Sequence, residues 1–268
     1  MNDQAPCKAF GAGDPVVFYD LRRRAFYAEL SEGGSSNIRG DLLRHEDVIG
    51  QPNGVRLHSR RKQPFWAFFP TLPEYALSMT RSAAIIYPKD AAYLVMHADI
   101  GPGMRVVEGG FGSGSLTMAL LRAVGQAGHV TTYELRKEAA NRARKNIQSF
   151  LGAELPHTCT LGDIYEGINE EGVHRVILDV PEPWQVIPHA AEALIDGGIL
   201  AAYLPTIIQV QTFMLELRAH PAFFTSEAVE VLERKWHVTK ESVRPEQQMI
   251  GHTGFLCTSR RIARPRAE

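Results

Sequence analysis

The chain has 268 residues, of which 44% are hydrophobic and 22% are charged, a composition that is ordinary for a globular protein. No apolar run approaches the roughly 18 residues of a membrane span, and the first residues do not form a signal peptide, so we expect a cytoplasmic protein without a membrane partner. The three cysteines, Cys7, Cys159 and Cys257, are far apart and belong to no C-x-x-C pair. We therefore expect neither a disulfide framework nor a metal site.

The net charge of −1 is unevenly distributed along the chain. Basic residues outnumber acidic ones by 12 to 10 in residues 1–90 and by 8 to 3 in residues 234–268, whereas residues 91–233 contain 9 basic and 17 acidic residues. Basic ends around an acidic centre fit an RNA-binding protein better than the total charge does. Ordinary solvated charge explains the same numbers, above all for four arginines near the C-terminus: Arg260, Arg261, Arg264 and Arg266.

Residues 1–72 predict a small β-rich domain. Short alternating segments at residues 16–19 and 25–28 are typical of strands. Clusters of glycine, serine, proline and asparagine at residues 31–36 and 51–54 are typical of turns. This pattern favours strands over helices throughout the first domain.

Near the end of this domain, a run of basic residues is followed by a run of aromatic ones. The basic run comprises Arg56, His58, Arg60, Arg61 and Lys62, and the aromatic run comprises Phe65, Trp66, Phe68 and Phe69. Basic side chains beside aromatic rings bind phosphates and stack on bases. Aromatic residues also build the cores of small β domains, and we predict core positions for Phe68 and Phe69. For Trp66 and the basic run, core packing and RNA contact both stay open.

Residues 73–268 predict a second, larger domain, which begins with a short helix at residues 74–79. Pro88 disfavours helical geometry at the residue before it, so Tyr87 is predicted to lie in a loop. The apolar residues between Ala91 and Ala98 have helical spacing. The loop of Tyr87 precedes the first strand of the large domain, and we expect it to fold over a ligand pocket.

Strands and helices alternate through the large domain, as in parallel α/β proteins. Strands are predicted at residues 105–108, 129–133, 157–161, 175–180 and 199–204, and helices at residues 115–124, 137–150, 184–195 and 207–220. Two further strands, at residues 226–239 and 253–258, are predicted to be antiparallel and to close the sheet. The expected fold is a doubly wound, Rossmann-like α/β sheet, mostly parallel, with a small β-rich domain before it.

The first strand of this sheet ends in a glycine-rich turn, Glu108-x-Gly110-x-Gly112-x-Gly114. Glycine permits positive φ and close approach of a ligand to the backbone. The following helix presents free N–H groups at its N-terminus. Ser115 stands where the dinucleotide-binding fingerprint requires glycine, which disfavours a nicotinamide cofactor. A glycine turn that binds no ligand has the same pattern. The residues at the other strand ends must therefore show whether this turn belongs to a ligand site.

Four acidic residues mark four consecutive strand ends: Glu108, Glu134, Asp163 and Asp179. In a doubly wound sheet these ends meet at one edge, where ligands bind. Glu134 follows Gly114 by 20 residues, the position from which a carboxylate accepts ribose hydroxyls. Asp163 is placed to receive an adenine amine, although a lone aspartate there is also a common turn or capping residue. Together the four carboxylates favour a positively charged sulfonium cofactor.

Five segments of the chain resemble the bacterial and archaeal tRNA (adenine-58-N1)-methyltransferases. They are Tyr87-Pro-Lys-Asp-Ala91, Glu108-Gly-Gly-Phe-Gly-Ser-Gly-Ser115, Leu178-Asp-Val-Pro-Glu-Pro-Trp184, Tyr203-Leu-Pro205 and Gly251-His-Thr-Gly-Phe255. The glycine segment is shared by class I methyltransferases at large, whereas the first and third segments are much more specific. The resemblance covers residues 70–262 and is looser before them. One departure is Phe111, where the family usually has a small residue, often threonine.

The resemblance implies a class I methyltransferase that uses S-adenosylmethionine to methylate N1 of adenosine 58 in the T loop of tRNA. It implies that Asp179 accepts a hydrogen bond from the N6 amine of the everted adenine, and that Tyr87 stacks on this base or covers the cofactor. It also implies a homotetramer. The basic and aromatic runs of the small domain, rather than the resemblance, make that domain a candidate for tRNA contact. The candidate cofactor-binding residues are Glu108, Gly110, Gly112, Ser113, Gly114, Ser115, Leu116, Glu134, Leu135, Asp163, Ile164 and Asp179.

Four residues in the family segments receive lesser predictions. Lys89 is expected to meet a phosphate, and Asp90 to cap the helix that follows it. His252 and Thr253 are expected to lie on the closing strand, packed near a subunit interface.

Two other functions compete with tRNA methylation. A class I methyltransferase for protein carboxylates, of the isoaspartyl type, shares the fold and the glycine turn. It does not account for the basic ends or for the segment that begins at Asp179. A tRNA-binding subunit without catalysis is the second alternative, and the intact set of glycines and acidic residues argues against it.

Overall fold

The computed structural model describes residues 8–81 and 84–263. Over these residues the chain divides into two compact units. One comprises the described residues up to Thr80 together with residues 144–154, and the other comprises residues 81–143 and the described residues from Leu155 onward. A domain boundary after residue 72 stays a prediction. Three residues named from the sequence, Cys7, Arg264 and Arg266, lie outside the described residues.

The first unit is built mainly from antiparallel strands, which confirms the predicted β-rich region. Within residues 8–81 the strands are β1 Pro15–Asp20, β2 Ala25–Glu29, β3 Ser35–Ile38, β4 Asp41–Arg44, β5 Val55–His58 and β6 Pro64–Phe68. Four of them form a sheet in the order β2-β1-β6-β5, and β3 pairs with β4 as a separate hairpin. The core of this unit consists of apolar side chains from the strands and loops, among them Phe10, Phe18 and Leu43.

The aromatic run of β6 alternates between two faces of the sheet. Phe65 and Ala67 are buried, whereas Trp66 is half-buried and Phe68 is 37% exposed. The predicted core position of Phe68 is therefore wrong, because the two-residue period of the strand places it on the same face as Trp66. Phe69, just after the strand, stacks on the buried Phe10 with ring centroids 4.2 Å apart.

A short helix, α1 Leu72–Ser78, follows the strands. Its first turn has a capping box, in which the Thr71 side chain accepts from the backbone N–H of Glu74 and Glu74 accepts from the backbone N–H of Thr71. On this helix Tyr75 stacks on Phe150 with ring centroids 4.7 Å apart and donates to the backbone oxygen of Asn146 at 3.0 Å. These contacts explain why residues 144–154 belong to the first unit.

The second unit contains the alternating strands and helices predicted for the large domain. Its described helices are α2 Pro88–His97, α3 Ser115–Val124, α4 Lys137–Leu151 (whose last turns belong to the first unit), α5 Ile187–Ala193 and α6 Ile207–Ala219. Its described strands are β7 Arg105–Gly109, β8 His129–Glu134, β9 His157–Leu161, β10 Val173–Leu178, β11 Leu194–Leu204, β12 Phe223–Glu230, β13 Trp236–Val238, β14 Val243–Pro245 and β15 Phe255–Arg261.

Seven of these strands form one sheet in the order β12-β15-β11-β10-β7-β8-β9. Neighbouring strands from β11 to β9 are parallel, and β15 is antiparallel to both of its neighbours. The predicted doubly wound α/β fold with an antiparallel last strand is confirmed. Because β7, β8, β9 and β10 are parallel, the ends that carry the four predicted carboxylates lie at one edge of the sheet.

The region around β11 differs from the prediction. A helix was expected at residues 184–195, but Pro183–Val186 form a 3-10 turn, α5 follows, and Leu194 already pairs with Val173 of β10. The register between β10 and β11 then shifts, and Gly197, at φ 76°, lies within this irregularity. The glycine pair after Asp196 therefore marks a bulge inside a long strand rather than the gap between a helix and a strand.

The predicted long strand at residues 226–239 is also wrong. Its first part, β12, pairs along the full length of β15, from Phe223 opposite Arg261 to Glu230 opposite Phe255. Since β15 begins at Phe255 rather than at the predicted Thr253, the chain beyond Glu230 has no strand to continue along. It folds into the hairpin of β13 and β14.

Buried charges tie the sheet to its neighbours. Arg261, counted among the basic C-terminal residues, is buried, donates from Nε to the backbone oxygen of Ala191 at 2.7 Å and pairs with Asp196. It is therefore part of the core rather than of a basic tail. Over residues 8–81 and 84–263, no helix is both long and apolar enough to cross a membrane.

Candidate active site

The glycine turn between β7 and α3 needs glycine for two separate reasons. Gly110, Gly112 and Gly114 have φ values of 91°, 54° and 84°, which side-chain-bearing residues rarely adopt. A Cβ atom at Gly110 would overlap the backbone oxygen of Asp179, so this glycine lets the end of β10 approach the turn. A Cβ atom at Gly112 would meet nothing within 4 Å, so this glycine lies beside open space.

Glu108 lies under the turn as a fully buried carboxyl group. Its Oε2 accepts hydrogen bonds from the hydroxyls of Thr117 and Thr132, both at 2.7 Å. Burial, only partly offset by these bonds and reinforced by the charge of Asp179, raises the pKa of Glu108 to about 8. Its Oε1 is buried without a hydrogen-bond partner among the described residues. An unsatisfied buried oxygen is costly, and it indicates a polar or charged partner supplied by a ligand.

Glu134 and Asp163 stand at the ends of β8 and β9, as predicted. Glu134 is buried, and its Oε1 accepts from the backbone N–H of Arg136 at 2.9 Å. Asp163 Oδ1 accepts from the backbone N–H of Tyr165 at 2.9 Å. This is the turn contact that was expected from the sequence as the alternative to binding an adenine amine.

The remaining candidate cofactor residues divide by exposure. Ser113, Ser115, Leu116 and Ile164 are buried around the turn, and Ile164 fits against Gly109, where a Cβ atom would approach it to 2.7 Å. Leu135 is 64% exposed. Phe111, the departure from the family pattern, is buried inside the turn, and its ring lies 5.3 Å from that of His157.

Asp179 follows β10 and lies directly beside the glycine turn. Its backbone N–H donates to the oxygen of Gly109 at 2.8 Å. The residue is accessible to solvent, yet the protein around its carboxyl group removes enough water to raise its pKa to about 6. An accessible but poorly hydrated carboxylate is what the wall of a ligand pocket presents.

The proline-containing loop after Asp179 is held by contacts from two elements. Gln209 of α6 donates to the backbone oxygen of Pro181 at 2.9 Å, and the hydroxyl of Tyr165 accepts from the backbone N–H of Glu182 at 2.9 Å. The Glu182 side chain is exposed and accepts from Gln185. The loop is therefore fixed by side chains as well as by its prolines.

Tyr87 and Asp179 both lie near a third residue, Tyr203 at the end of β11. Burial raises the pKa of the Tyr203 phenol to about 12, and the charges of Asp90 and Asp179 and the phenol of Tyr87 contribute to this shift. Tyr87 itself is half-buried and precedes α2 in an extended conformation, as Pro88 predicted. The loop of Tyr87 and the end of β10 therefore both lie within electrostatic range of the Tyr203 phenol.

Three lesser predictions are corrected by the structure. Asp90 is not a capping residue: Tyr87 precedes the helix, and the fully buried Asp90 side chain bonds to Lys89 and Thr253. The Lys89 ammonium group bonds within the protein instead of standing free for a phosphate. Thr253 and His252 lie before β15 rather than on it.

Comparison with known proteins identifies the family. The family described as tRNA methyltransferase complex GCD14 subunit matches residues 66–254, and the family described as TrmI-like N-terminal matches residues 9–56. The tRNA (adenine(58)-N(1))-methyltransferase TrmI of Thermus thermophilus is 38% identical over 248 residues, which are 92% of this chain and 96% of that relative. The chain belongs to the tRNA (adenine-58-N1)-methyltransferase family. This membership confirms the prediction from the five segments, and the chain is an enzyme.

One further relative and two solved structures are also similar to this chain. An archaeal relative, the tRNA (adenine(57)-N(1)/adenine(58)-N(1))-methyltransferase TrmI of Methanocaldococcus jannaschii, is 34% identical over 80% of this chain and 84% of its own. The crystal structure of the tRNA (m1A58) methyltransferase TrmI of Aquifex aeolicus gives a TM-score of 0.83 at 30% identity, covering 96% of this chain and 100% of that one. A structure described as a SAM-dependent O-methyltransferase from Thermotoga maritima gives 0.90 at 30% identity, covering 97% of both chains.

Sequence reasoning missed three residues that lie beside the candidate site residues. Thr132 stands opposite Glu108 in the β7–β8 register, and Thr117 lies in the first turn of α3. The alternation of β8, with Glu134 two residues after Thr132, was the available signal for the first of them. Tyr203 was part of a family segment but received no role, because its proximity to Tyr87 and Asp179 depends on tertiary packing.

Proposed function

We propose that this enzyme methylates N1 of adenosine 58 in the T loop of tRNA with S-adenosylmethionine. The observation that carries the proposal is the pairing of family membership over almost the whole chain with an accessible carboxylate, Asp179, directly beside the glycine turn. A protein-carboxylate methyltransferase needs no such carboxylate at its target.

The residues around the glycine turn fit S-adenosylmethionine, which supplies an electrophilic methyl group when bound. The unsatisfied Oε1 of Glu108 and the open space at Gly112 indicate a polar ligand against the turn. Glu134, at the end of the neighbouring strand, is proposed to accept the ribose hydroxyls. Asp163 is proposed to receive the adenine amine with its second oxygen. Ser115 and Leu116 present the first N–H groups of α3. Gly110, Ser113 and Gly114 form the turn before that helix, and Leu135 and Ile164 are proposed to line the pocket.

The target adenine must leave its stack in the tRNA, at a cost of about a few kcal/mol, before it reaches this pocket. Bound S-adenosylmethionine would supply its methyl group to the N1 lone pair, and the sulfur would keep the electron pair of the broken sulfur–carbon bond. The base gains a positive charge in this step, and no strong base is required beforehand. Asp179, ionised above about pH 6, accepts a hydrogen bond from the N6 amine and stabilises that charge. Tyr87 stacks on the base.

The test is methylation by the purified chain alone. An unmodified tRNA transcript is incubated with S-adenosylmethionine, digested and analysed by mass spectrometry, with a transcript that carries guanosine at position 58 as the control. We expect 1-methyladenosine at position 58 of the first transcript only. Methyl groups at position 57 or on ribose would redefine the target. No methylation by the pure chain would favour the non-catalytic tRNA-binding subunit, and methylation of isoaspartyl peptides would favour the other alternative.

We propose that the first unit contacts the tRNA through one end of its sheet. The β1–β2 turn carries Arg22 and Arg23, and the β5–β6 turn carries Arg60, Arg61 and Lys62. Asp20 pairs with Phe65, so the two turns lie side by side. The five cations are exposed and form no ion pair with residues that the structure describes. On the sheet behind them, Arg56 lies over the ring of Trp66.

A double substitution tests this basic end. Arg22→Gln with Arg60→Gln should weaken tRNA binding and reduce the slope of log affinity against log salt by about one for each phosphate that is no longer bound. The matched control is Arg122→Gln with Arg218→Gln, which removes two cations from helices of the second unit. Filter binding over a range of salt concentrations measures the slopes. Equal slopes for both double variants would contradict the proposed tRNA contact.

We further propose that the enzyme is a homotetramer, as the family resemblance implies, and that it works in the cytoplasm. The β13–β14 hairpin exposes apolar side chains, with Trp236, Val238 and Val243 between 57% and 69% accessible. Exposed apolar surface of this kind is typical of a protein interface. Analytical ultracentrifugation of the parent and of Val238→Asp should show tetramers and smaller species, respectively. A monomeric parent would contradict the proposal.

A further inference from the structure

A cluster of three polar side chains, one fully buried and two partly buried, joins the start of α2 to the segment before β15. Asp90 is fully buried, and its two oxygens accept from the Lys89 ammonium at 2.6 Å and from the Thr253 hydroxyl at 2.7 Å. The same ammonium donates to the Thr253 hydroxyl oxygen and to the backbone oxygen of Val231, both at 2.6 Å. All three protons of the ammonium group are thereby used, and the Thr253 hydroxyl both donates and accepts.

The segment that contains Thr253 is held on its other sides as well. The Tyr203 hydroxyl donates to the backbone oxygen of Thr253. A Cβ atom at Gly254 would overlap the Tyr203 ring, so only glycine allows the ring to lie this close. His252 bonds to Glu230 through Nδ1 at 2.7 Å and to the backbone oxygen of Pro205 through Nε2 at 2.8 Å. The segment is thus fixed to the ends of β11 and β12 as well as to α2.

This cluster sits immediately behind Tyr87. The backbone oxygen of Tyr87 accepts from the N–H groups of Asp90 and Ala91, both at 2.9 Å, so the first turn of α2 sets the position of the tyrosine. Buried ion pairs contribute little net stability, because the cost of desolvation offsets the attraction between the charges. Their attested use is to fix one arrangement among several. The arrangement fixed here is that of Tyr87 relative to Tyr203 and the end of β10.

We propose that Lys89, Asp90 and Thr253 form a positioning lock that holds Tyr87 for capture of the target adenine, with the Thr253 hydroxyl as its centre. The three residues act through Tyr87 and do not touch the base. The inference rests on the proposed function for the role of Tyr87. It assigns one shared role, the positioning of Tyr87, to the family segments at residues 87–91 and 251–255. The Lys89 ammonium group therefore stabilises the lock instead of binding a phosphate of the RNA.

The test removes the central hydroxyl and keeps the shape of the side chain. Thr253→Val leaves Asp90 and Lys89 without their shared partner, and Thr253→Ser restores the hydroxyl. We expect Thr253→Val to lower kcat/KM for tRNA by about 10- to 100-fold, the effect of misplacing a substrate-positioning group. Calorimetric affinity for S-adenosylmethionine should change by less than about twofold, since the glycine turn is made elsewhere. Thr253→Ser should recover most of the activity.

A second measurement tests the lock independently of the methylation rate. Amide hydrogen exchange, measured by mass spectrometry, should be faster in Thr253→Val at residues 86–91 and unchanged in α3. The matched control is Thr212→Val, which removes a hydroxyl that bonds only to its own helix, at the Ile208 oxygen. It should leave both kinetics and exchange as in the parent.

The outcomes separate the inference from the proposed function. If the parent enzyme forms no 1-methyladenosine, the proposed function fails, while exchange at residues 86–91 still reports on the lock. If the parent is active and Thr253→Val keeps its kcat/KM, the positioning role is overturned. The same holds if the variant loses cofactor affinity in proportion to activity, because that result indicates general structural damage.

Discussion

The candidate active site has two sides that are built in different ways. On the cofactor side, Glu108, the glycine turn and Thr117 lie within ten residues of one strand–turn–helix unit, and Thr132 joins them through strand register. On the substrate side, the contacts of Lys89 reach 142 residues to Val231 and 164 residues to Thr253. The first side follows from local sequence, whereas the second exists only once the sheet has formed. Substitutions should therefore damage cofactor binding and base capture separately.

Asp179 joins the two sides, so its removal should have the largest effect. Asp179→Ala removes the proposed acceptor for the N6 amine, and we expect kcat for tRNA to fall by about 10²- to 10³-fold, the range for removing one well-placed transition-state interaction. S-adenosylmethionine binding should be retained in part, because Glu108 and Glu134 are untouched. Single-turnover methylation and calorimetry measure the two quantities.

Asp179→Asn is the control for this substitution. It keeps the size of the side chain and an oxygen that accepts from the amine, but it removes the charge. Its rate should lie between those of the parent and the alanine variant. An alanine variant that methylates tRNA at the parent rate would show that Asp179 is not the acceptor.

Gly110 and Gly112 test the cofactor side by itself. Both have positive φ, so an alanine at either position is strained by about 1–3 kcal/mol. Only at Gly110 does the new Cβ atom overlap the Asp179 backbone, so Gly110→Ala should lower the free energy of unfolding by roughly a further 1–3 kcal/mol through overpacking. Gly112→Ala should be better folded, yet it should bind S-adenosylmethionine more weakly, because its methyl group enters the open space beside the turn.

Denaturant unfolding and calorimetry on both glycine variants give the comparison. Equal losses of unfolding free energy would mean that the loop after β10 moves away without cost. Unchanged cofactor affinity in Gly112→Ala would place the ligand elsewhere.

The same contrast explains which parts of the structure the sequence predicted. Helix α3 and strand β9 have the bounds expected from residues 115–124 and 157–161, because glycines punctuate both elements locally. The start of β11 was missed because pairing with β10 carries the strand through Gly197, which looked like a break. The hairpin after Glu230 was missed for a related reason: where β12 ends depends on where β15 begins. Likewise, the sequence predicted the positions of the four carboxylates at strand ends. It did not predict the hydrogen-bond partners of Asp90, because Thr253 is distant in sequence.

The smallest expected effect is a pH dependence of cofactor binding that originates at Glu108. Since burial raises the pKa of this carboxyl group to about 8, it is mostly neutral at pH 7 in the free enzyme. A positively charged ligand favours the ionised form and lowers that pKa, so binding releases a proton at pH values below about 8. Affinity for S-adenosylmethionine should therefore rise as the pH increases from 6.5 to about 8, by less than about tenfold per unit, and level off above it.

Calorimetry in buffers of different ionisation enthalpy counts the protons released on binding. Asp179, whose pKa is raised to about 6, is largely ionised over this range and contributes little to the count. Glu108→Gln keeps the shape of the side chain, removes the titrating group and should abolish the release between pH 6.5 and 8. A parent enzyme that releases no proton there would mean that Glu108 stays neutral in the complex. Its Oε1 would then meet its ligand as a hydrogen-bonding group rather than as a counter-charge.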